Sequence, residues 1–445
     1  MRVVVLLAVA ACGDNIELDP NVARSGTRLK LVRYDYGEGA REIDTQWFHD
    51  AVRDERCTPR QWFDGVTICT PAFTDTVFPT SDCNRPVGRV PVGDAVPAYF
   101  VRPFWLAGEW LPSRIYHSGE PTAAPAYAWE FREGACLGPY EVAGFDYFEL
   151  GREVERGHLA QITHPEVATT SRLALTIVAS DDGLYAPIGL HDRDLEIRCD
   201  PAAAAGANET VCVPDGVVMA EYFHDAQCTE PELAVAFGVP IPQLMNHHDA
   251  RSGCTSYYTV GAEIEAPPLY HRNGARCVAI AAPASYAYFL PQAPLELARL
   301  DRVRDPAASR ITPIELAHGD LRIAGVLLHD DDLATECRRS EVDGALRCLP
   351  ETSVRVIELF DSDSCQTVVP LAEVHTGTCA APAAFAIDPV RALHAVGAVH
   401  AAPLYHLSTG DRCLPYAIPD GIALKDVGSA LPADTFAEAT IRVDP

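Results

Sequence analysis

Hydrophobic and polar positions alternate along this chain in short stretches that predict β-strands. Segments such as 29–34 (LKLVRY), 173–179 (LALTIVA) and 285–290 (SYAYFL) are rich in β-branched and aromatic residues and are bounded by turn formers. No window keeps the i, i+3, i+4, i+7 spacing of a long amphipathic helix. Because the chain contains 35 Pro and 30 Gly, strands have to be short and loops numerous. The pattern predicts an all-β fold.

One pattern of residues occurs three times. Each copy contains a His-Asp pair, and a cysteine lies seven positions after the Asp. The pairs are His49-Asp50, His191-Asp192 and His329-Asp330. Four cysteines then recur in each copy: Cys57, Cys69, Cys83 and Cys136; Cys199, Cys212, Cys228 and Cys277; Cys337, Cys348, Cys365 and Cys413. We also align Tyr127, Tyr270 and Tyr405, which precede the last of these cysteines. Shared spacing of this kind predicts three tandem repeats of about 140 residues, covering residues 27–170, 171–308 and 309–445.

Each repeat has room for about eight strands, enough for two four-stranded sheets. Six such sheets could stack radially in a six-bladed β-propeller-like assembly, and the short connections between repeats favour this arrangement. Three β-sandwich domains in a row are the alternative.

The N-terminus predicts export. Arg2 precedes an apolar run, 3–11, that is too short to span a bilayer but suits a secretory signal. Residues 9–12 (VAAC) resemble a bacterial lipobox, which implies that Cys12 is acylated and becomes the first residue of the mature protein. Gly13 in place of Asp implies an outer membrane lipoprotein, at the cell surface or on the periplasmic face. Residues 1–12 are then the signal and lipobox, and 13–26 a polar tether; a buried first strand is the alternative.

The other fourteen cysteines predict disulfide bonds, since an exported chain meets oxidising conditions. The first two cysteines of each repeat are close enough for local bonds, 57–69, 199–212 and 337–348. Elimination in the first repeat gives 83–136, and repeat symmetry gives 228–277 and 365–413. Cys254 and Cys379 are left to join repeats two and three, although 228–254 with 365–379 competes. The tight spacing of a zinc site is absent.

A His-Asp pair could act as a general base or as metal ligands. Because it is copied into every repeat at one spacing from a cysteine, we expect it to be part of the framework. The Asp would cap a turn, and the His would donate a ring N–H to a carbonyl or to that Asp.

Two further groups contain residue types that bind metals. His247, His248 and Asp249 occur only in repeat two, but adjacent histidines on a strand point to opposite faces. The acidic run 329–332 lacks the pattern of a calcium loop. We predict no metal and no cofactor.

The charge balance excludes one class of partner. With 35 basic and 62 acidic residues the net charge is -27, which repels nucleic acids. The common serine hydrolase, zinc protease, nucleotide and kinase motifs are also missing from the sequence.

The lipobox, the segment 343–350 (DGALRCLP) and the WFHD or LHD segments together look like a family of uncharacterised cysteine-rich repeat lipoproteins of myxobacterial type. The first repeat departs from the pattern at 63–71 (FDGVTICTP). The resemblance implies export and a repeated β fold, and it carries no activity.

These observations favour a lipid-anchored, disulfide-braced binding or structural module for an extracellular glycan or protein partner, without catalytic activity. The alternative is a secreted glycan-directed hydrolase on a β-propeller scaffold. Paired carboxylates in one pocket would favour the hydrolase.

Overall fold

The computed structural model describes residues 21–445 except for a set of short gaps, at 38–40, 107–108, 133–134, 168–171, 204–208, 237–238, 250–251, 253, 266–267, 274–275, 305–308, 351, 353, 378, 380–383, 390, 409–411 and 420. Cys12, the signal and the first part of the tether therefore lie outside the described residues. Strands dominate the described chain, with two short 3-10 helices at Arg156–His158 and Ala433–Thr435. No helix among these residues has the length and apolar character needed to cross a membrane.

A four-stranded antiparallel meander is formed three times. In meander 1 the first two strands are each interrupted, so that six segments make four strands: β1 (Leu29–Lys30), β2 (Val32–Asp35), β3 (Arg41–Ile43), β4 (Phe48–Asp50), β5 (Glu55–Gln61) and β6 (Thr67–Pro71).

Meanders 2 and 3 follow the same order. Meander 2 contains β16 (Leu173–Ser180), β17 (Tyr185–Asp192), β18 (Ile197–Ala203) and β19 (Thr210–Pro214). Meander 3 contains β29 (Ile311–His318), β30 (Leu321–Asp330), β31 (Thr335–Val342) and β32 (Ala345–Pro350). The residue after each His-Asp pair begins the turn between the second and third strands.

Three linker strands join the meanders edge to edge. They are β14 (Gln161–Thr163), β28 (Arg299–Arg304) and β40 (Glu438–Val443). The short strand β15 (Glu166–Val167) follows β14 along the chain and pairs with β16. Strand β14 pairs with β6 and β16, and β28 pairs with β19 and β29. Strand β40 pairs with β32 and with β2. The hydrogen-bonded order thus returns to the strand where it began, and we call this closed arrangement the ring.

The all-β prediction is confirmed, whereas the propeller is not. Propeller blades are separate sheets that pack face to face. Here the three meanders share backbone hydrogen bonds through the linker strands and belong to one 18-stranded sheet. Because the meanders are joined in this way, they are not three independent sandwiches either.

Each meander is followed by an insert before its linker strand. Insert 1 contains β7 (Thr74–Val77), β8 (Val87–Pro91), β9 (Tyr99–Leu106), β10 (Glu109–Thr122), β11 (Ala128–Arg132), β12 (Ala135–Tyr140) and β13 (Phe145–Glu153). Five of these strands close on themselves in the order β10-β13-β8-β7-β9, and β11 and β12 form a separate hairpin.

Inserts 2 and 3 form sheets of eight and seven strands. Insert 2 contains β20 (Val218–Met219), β21 (Tyr222–Phe223), β22 (Pro231–Ala236), β23 (Leu244–Asp249), β24 (Cys254–Ile264), β25 (Leu269–Asn273), β26 (Arg276–Ile280) and β27 (Tyr286–Pro294). Insert 3 contains β33 (Arg355–Phe360), β34 (Val368–His375), β35 (Phe385–Ile387), β36 (Leu393–Val399), β37 (Tyr405–Leu407), β38 (Cys413–Pro415) and β39 (Ile422–Ala430).

The main core lies between the meanders. One cluster joins Leu175 and Leu190 of meander 2 to Leu316 and Ile323 of meander 3. A second cluster joins meander 1 to meander 2 through residues such as Leu29, Phe48 and Leu184. Burial of these faces is the main apolar contribution to ring stability.

Seven disulfide bonds brace this fold, and they join the cysteines that the sequence analysis paired. The bonds are 57–69, 199–212 and 337–348 in the meanders, 83–136, 228–277 and 365–413 in the inserts, and 254–379 between inserts 2 and 3. The pairing of Cys254 with Cys379 resolves the alternative that the spacing left open. Seven bonds indicate an extracellular or periplasmic protein.

The alignment of the tyrosines needs a correction of two positions. Tyr270 pairs with Phe223 and Tyr405 with Phe360, but the residue that faces the equivalent Phe78 is Trp129. Tyr127 is instead exposed. Trp129 and Tyr270 both lie seven positions before the last cysteine of their repeat, whereas Tyr127 lies nine positions before Cys136.

Candidate functional site

The Asp of each His-Asp pair is buried beneath an arginine from the start of the same meander. The side chains of these three aspartates have at most 1% of their surface exposed. The pairs are Arg28–Asp50, Arg172–Asp192 and Arg310–Asp330, with closest N···O distances of 2.6, 2.7 and 2.8 Å. In each pair Nε and one Nη donate to the carboxylate, which is a strong bidentate geometry.

The same arginines hold the joints of the ring. A terminal N–H of each guanidinium also donates to a backbone carbonyl just ahead of a linker strand. The acceptors are the carbonyls of His158, Glu296 and Thr435, at 2.6, 3.0 and 2.6 Å. Each Arg–Asp pair therefore connects the start of a meander to the linker strand that leaves the insert of the same repeat.

The three aspartates also bind the turn that follows them. The carboxylates of Asp50, Asp192 and Asp330 each accept a backbone N–H from the residue two positions later, at 3.1 Å. The sequence analysis expected a capping role for these aspartates and did not identify the arginines. The signal was present, because an Arg directly follows Thr27, Ser171 and Ser309, the first residues of the three repeats.

The three histidines point away from their neighbouring aspartates, as alternation along a strand requires. They lie instead beside other carboxylates: His49 is 3.4 Å from Asp54, His191 is 3.1 Å from Glu166 and His329 is 3.7 Å from Asp331. Burial lowers the pKa of His329, and the guanidinium of Arg304 lowers it further. The three His-Asp pairs of the sequence lie in three different meanders, so the structure does not bring them together into one site.

The group His247, His248 and Asp249 is also divided among different partners. The ring of His247 packs edge-on against Phe223, and that of His248 lies edge-on to His375. Asp249 instead binds Arg272 at 3.2 Å. Burial lowers the pKa of both histidines. Across the part of the chain that the structure describes, no three His, Cys, Asp or Glu side chains are grouped to hold a metal ion.

A cavity of about 420 Å³, the central cavity, is lined by residues from all three repeats. Its apolar lining includes Ile43, Ile188, Ile323 and Leu328. Exposed polar residues stand at its mouth: Thr45, Gln46, Asp200 and Arg338. The volume and the mixed lining are those of a site for a small ligand.

One wall of the central cavity is formed by an ion-paired cluster around Arg339. Its guanidinium lies 2.9 Å from a carboxylate oxygen of Glu42 and 3.5 Å from one of Asp44. It also stacks over the ring of Tyr34, 3.5 Å from the centroid. The disulfide register places Pro59 and Pro201 at the positions equivalent to Arg339. The cluster therefore breaks the threefold pattern.

Hydrogen bonds fix this wall. Tyr36 donates to Glu42 at 3.1 Å, Tyr34 donates to Asp44, and the indole N–H of Trp47 donates to the Tyr34 hydroxyl at 3.2 Å. Burial raises the pKa of Tyr34 to about 12, and it raises the pKa of Tyr36 and of Glu42. Both tyrosines thus stay protonated at neutral pH and act as hydrogen-bond donors.

Comparison with protein families gives a match over nearly the whole chain. The chain belongs to a family of unknown function (DUF7481), whose model matches residues 5–436. No curated protein and no solved structure matches it. The family match spans the three meanders, the three inserts and the residues that line the central cavity, and it ends just before linker strand β40.

We predict that breaking one buried Arg–Asp pair destabilises the whole ring. Arg172→Ala leaves the carboxylate of Asp192 buried without its cation, which should lower the free energy of unfolding by about 3–5 kcal/mol. Chemical denaturation of the oxidised protein measures the loss.

Arg299→Ala is the matched control, since Arg299 binds Glu209 while its own side chain is 74% exposed. It should cost less than about 1 kcal/mol. Equal losses for the two variants would show that the buried pair has no special part in stability.

Proposed function

We propose that this protein is an exported, lipid-anchored binding module of the outer membrane, with the central cavity as its ligand site. Several features support the proposal: the signal-like N-terminus, the disulfide-braced ring and the asymmetric cavity wall. The observation that carries it is the cavity itself, because its apolar interior lies beside a fixed polar cluster. The cluster around Arg339 occurs in one repeat only, so the cavity wall is asymmetric.

The lining favours a small amphipathic ligand. Ile188, Ile323 and Leu328 would contact its apolar part, while Gln46 and Arg338 stand where a polar group would remain near solvent. Glu42 and Asp44 are neutralised in part by Arg339, so the wall does not present a strong net charge. A neutral ligand suits this balance better than an ion.

The geometry supports binding rather than hydrolysis at this site. Glycoside hydrolases hold two carboxyl groups on opposite sides of the bond they cleave. Glu42 and Asp44 instead bind the same guanidinium on one wall, and each accepts a tyrosine hydroxyl. Their oxygens are occupied in holding the wall.

The anchor would place the cavity close to the membrane. Arg24 exchanges two backbone hydrogen bonds with Tyr185, and the side-chain carbonyl of Asn21 accepts the backbone N–H of Arg322 at 3.1 Å. Asn21 also lines the central cavity. The nine peptide steps from Cys12 to Asn21 reach at most about 30 Å, so a lipid on Cys12 would hold this end of the ring near the bilayer.

We predict that a ligand of the central cavity stabilises a soluble form of the protein that begins at residue 13 and so lacks the lipidated Cys12. Thermal unfolding is measured against neutral amphipathic small molecules, short-chain alkyl glycosides among them. A ligand at a hundred times its Kd should add about 2.7 kcal/mol of stability. Gln46→Trp, which fills the mouth, should abolish that gain.

Gln61→Trp is the control, because Gln61 is another exposed glutamine of the same meander and does not line the central cavity. It should retain the gain. Stabilisation that survives Gln46→Trp would place the ligand elsewhere, and no stabilisation by any compound would contradict the cavity as a ligand site.

We predict that anchoring depends on Cys12. In cells fed a clickable palmitate analogue, the wild-type protein should be labelled and should sediment with the outer membrane. Cys12→Ala should be unlabelled, because no other residue can take its place as the first residue after processing. An unlabelled wild-type protein would contradict the lipid anchor and leave the ligand experiment unaffected.

A further inference from the structure

A second, smaller cavity lies in insert 1, and we call it the insert pocket. Its volume is about 130 Å³. Four charged residues line it, Asp75, Arg89, Glu130 and Arg132, together with Pro103 and Phe131. It lies between the closed five-stranded part of the insert and hairpin β11–β12.

The charges of the insert pocket are unevenly paired. Glu130 binds both cations, with one oxygen 3.1 Å from Arg89 and the other 2.6 Å from Arg132. The backbone of Asp75 is paired with strand β9, but its carboxylate makes no hydrogen bond and no ion pair to the described part of the chain. Burial raises the pKa of Asp75, while the charge of Arg89 opposes the shift. The carboxyl of Asp75 is therefore the group that a bound molecule would satisfy.

The other two inserts show that the fold does not require these charges. The three inserts share one register, in which the pair Val77–Val87 corresponds to Tyr222–Glu232 and to Leu359–Val369. In this register the counterparts of Asp75 are Ala220 and Ile357, and those of Arg89 are Ala234 and Leu371.

Half-buried charges cost free energy when small or apolar residues would serve the same packing. Their presence in insert 1 alone points to a role in binding.

The chemistry of the insert pocket selects a neutral ligand with many hydroxyl groups. Two carboxylates and two guanidiniums give no net charge, so neither a cation nor an anion gains from entering. Hydroxyl groups can donate to Asp75 and Glu130 and accept from Arg89 and Arg132. Phe131 and Pro103 supply apolar walls for the C–H face of a ring. The volume suits one sugar ring better than a chain.

We propose that the insert pocket is a subsite for one neutral sugar residue of an extracellular glycan. The inference rests on the proposed function only in taking the protein to be a binding module. It does not depend on the central cavity, which lies in the ring and is lined by a different set of residues.

The test is saturation-transfer NMR and calorimetry of the soluble form that begins at residue 13, with glucose, galactose, mannose and N-acetylglucosamine. We expect at least one sugar to bind with a Kd in the millimolar range. The double variant Asp75→Ala, Arg89→Ala should weaken that binding by at least about tenfold, because hydrogen bonds to two charged groups are lost. Insert 2 carries alanine at both equivalent positions, so the variant should fold with an unchanged or higher Tm.

Gln46→Trp in the central cavity is the control, and it should bind the sugar as the wild type does. Sugar binding that is lost in Gln46→Trp but kept in the double variant would overturn the insert pocket and favour the central cavity. Failure of all four sugars to bind the wild type would also overturn it. Neither result would decide whether an amphipathic ligand occupies the central cavity.

Discussion

The ring depends on the pairing of three linker strands with the open edges of the meanders. A four-stranded meander alone leaves two rows of backbone N–H and C=O groups without partners, which is costly when they are buried and invites aggregation when they are not. Strands β14, β28 and β40 each bind two such edges. The half-buried arginines Arg28, Arg172 and Arg310 then hold the chain just ahead of each linker strand, so the joints are fixed by charge as well as by hydrogen bonds.

Features that recur in all three repeats serve this framework. The Arg–Asp pairs, the meander disulfides and the left-handed backbone at Cys83, Cys228 and Cys365 occur at equivalent positions. Features that occur once stand out against this background. Beside the central cavity, Arg339 stands where each of the other two repeats has a proline. In insert 1, Asp75 and Arg89 stand where the other two inserts have small or apolar residues. Threefold repetition thus separates residues of the shared framework from residues that occur in one repeat alone.

Local signals allowed part of this structure to be predicted. Short apolar stretches indicated strands, and repeated cysteine spacing indicated bonds that a hairpin can make, such as 57–69. Ring closure could not be predicted, because Val32 of β2 pairs with Val443 at the other end of the chain and no local pattern reports that contact. The alignment of Tyr127 was wrong because it matched the residue type, whereas the distance of Tyr270 from Cys277 selects Trp129 as the counterpart in the first repeat. Arg339 was missed because its partners Glu42 and Asp44 lie in another repeat.

The most direct test of this account is hydrogen exchange at the linker strands of the oxidised protein. If the ring is closed as described, amides of β40 (Glu438–Val443) and of β28 should exchange as slowly as those of β16 and β17 in the core, because they open only when the whole ring unfolds. Exchange of β40 at the rate of an exposed terminal segment, with the meanders still protected, would contradict closure of the ring.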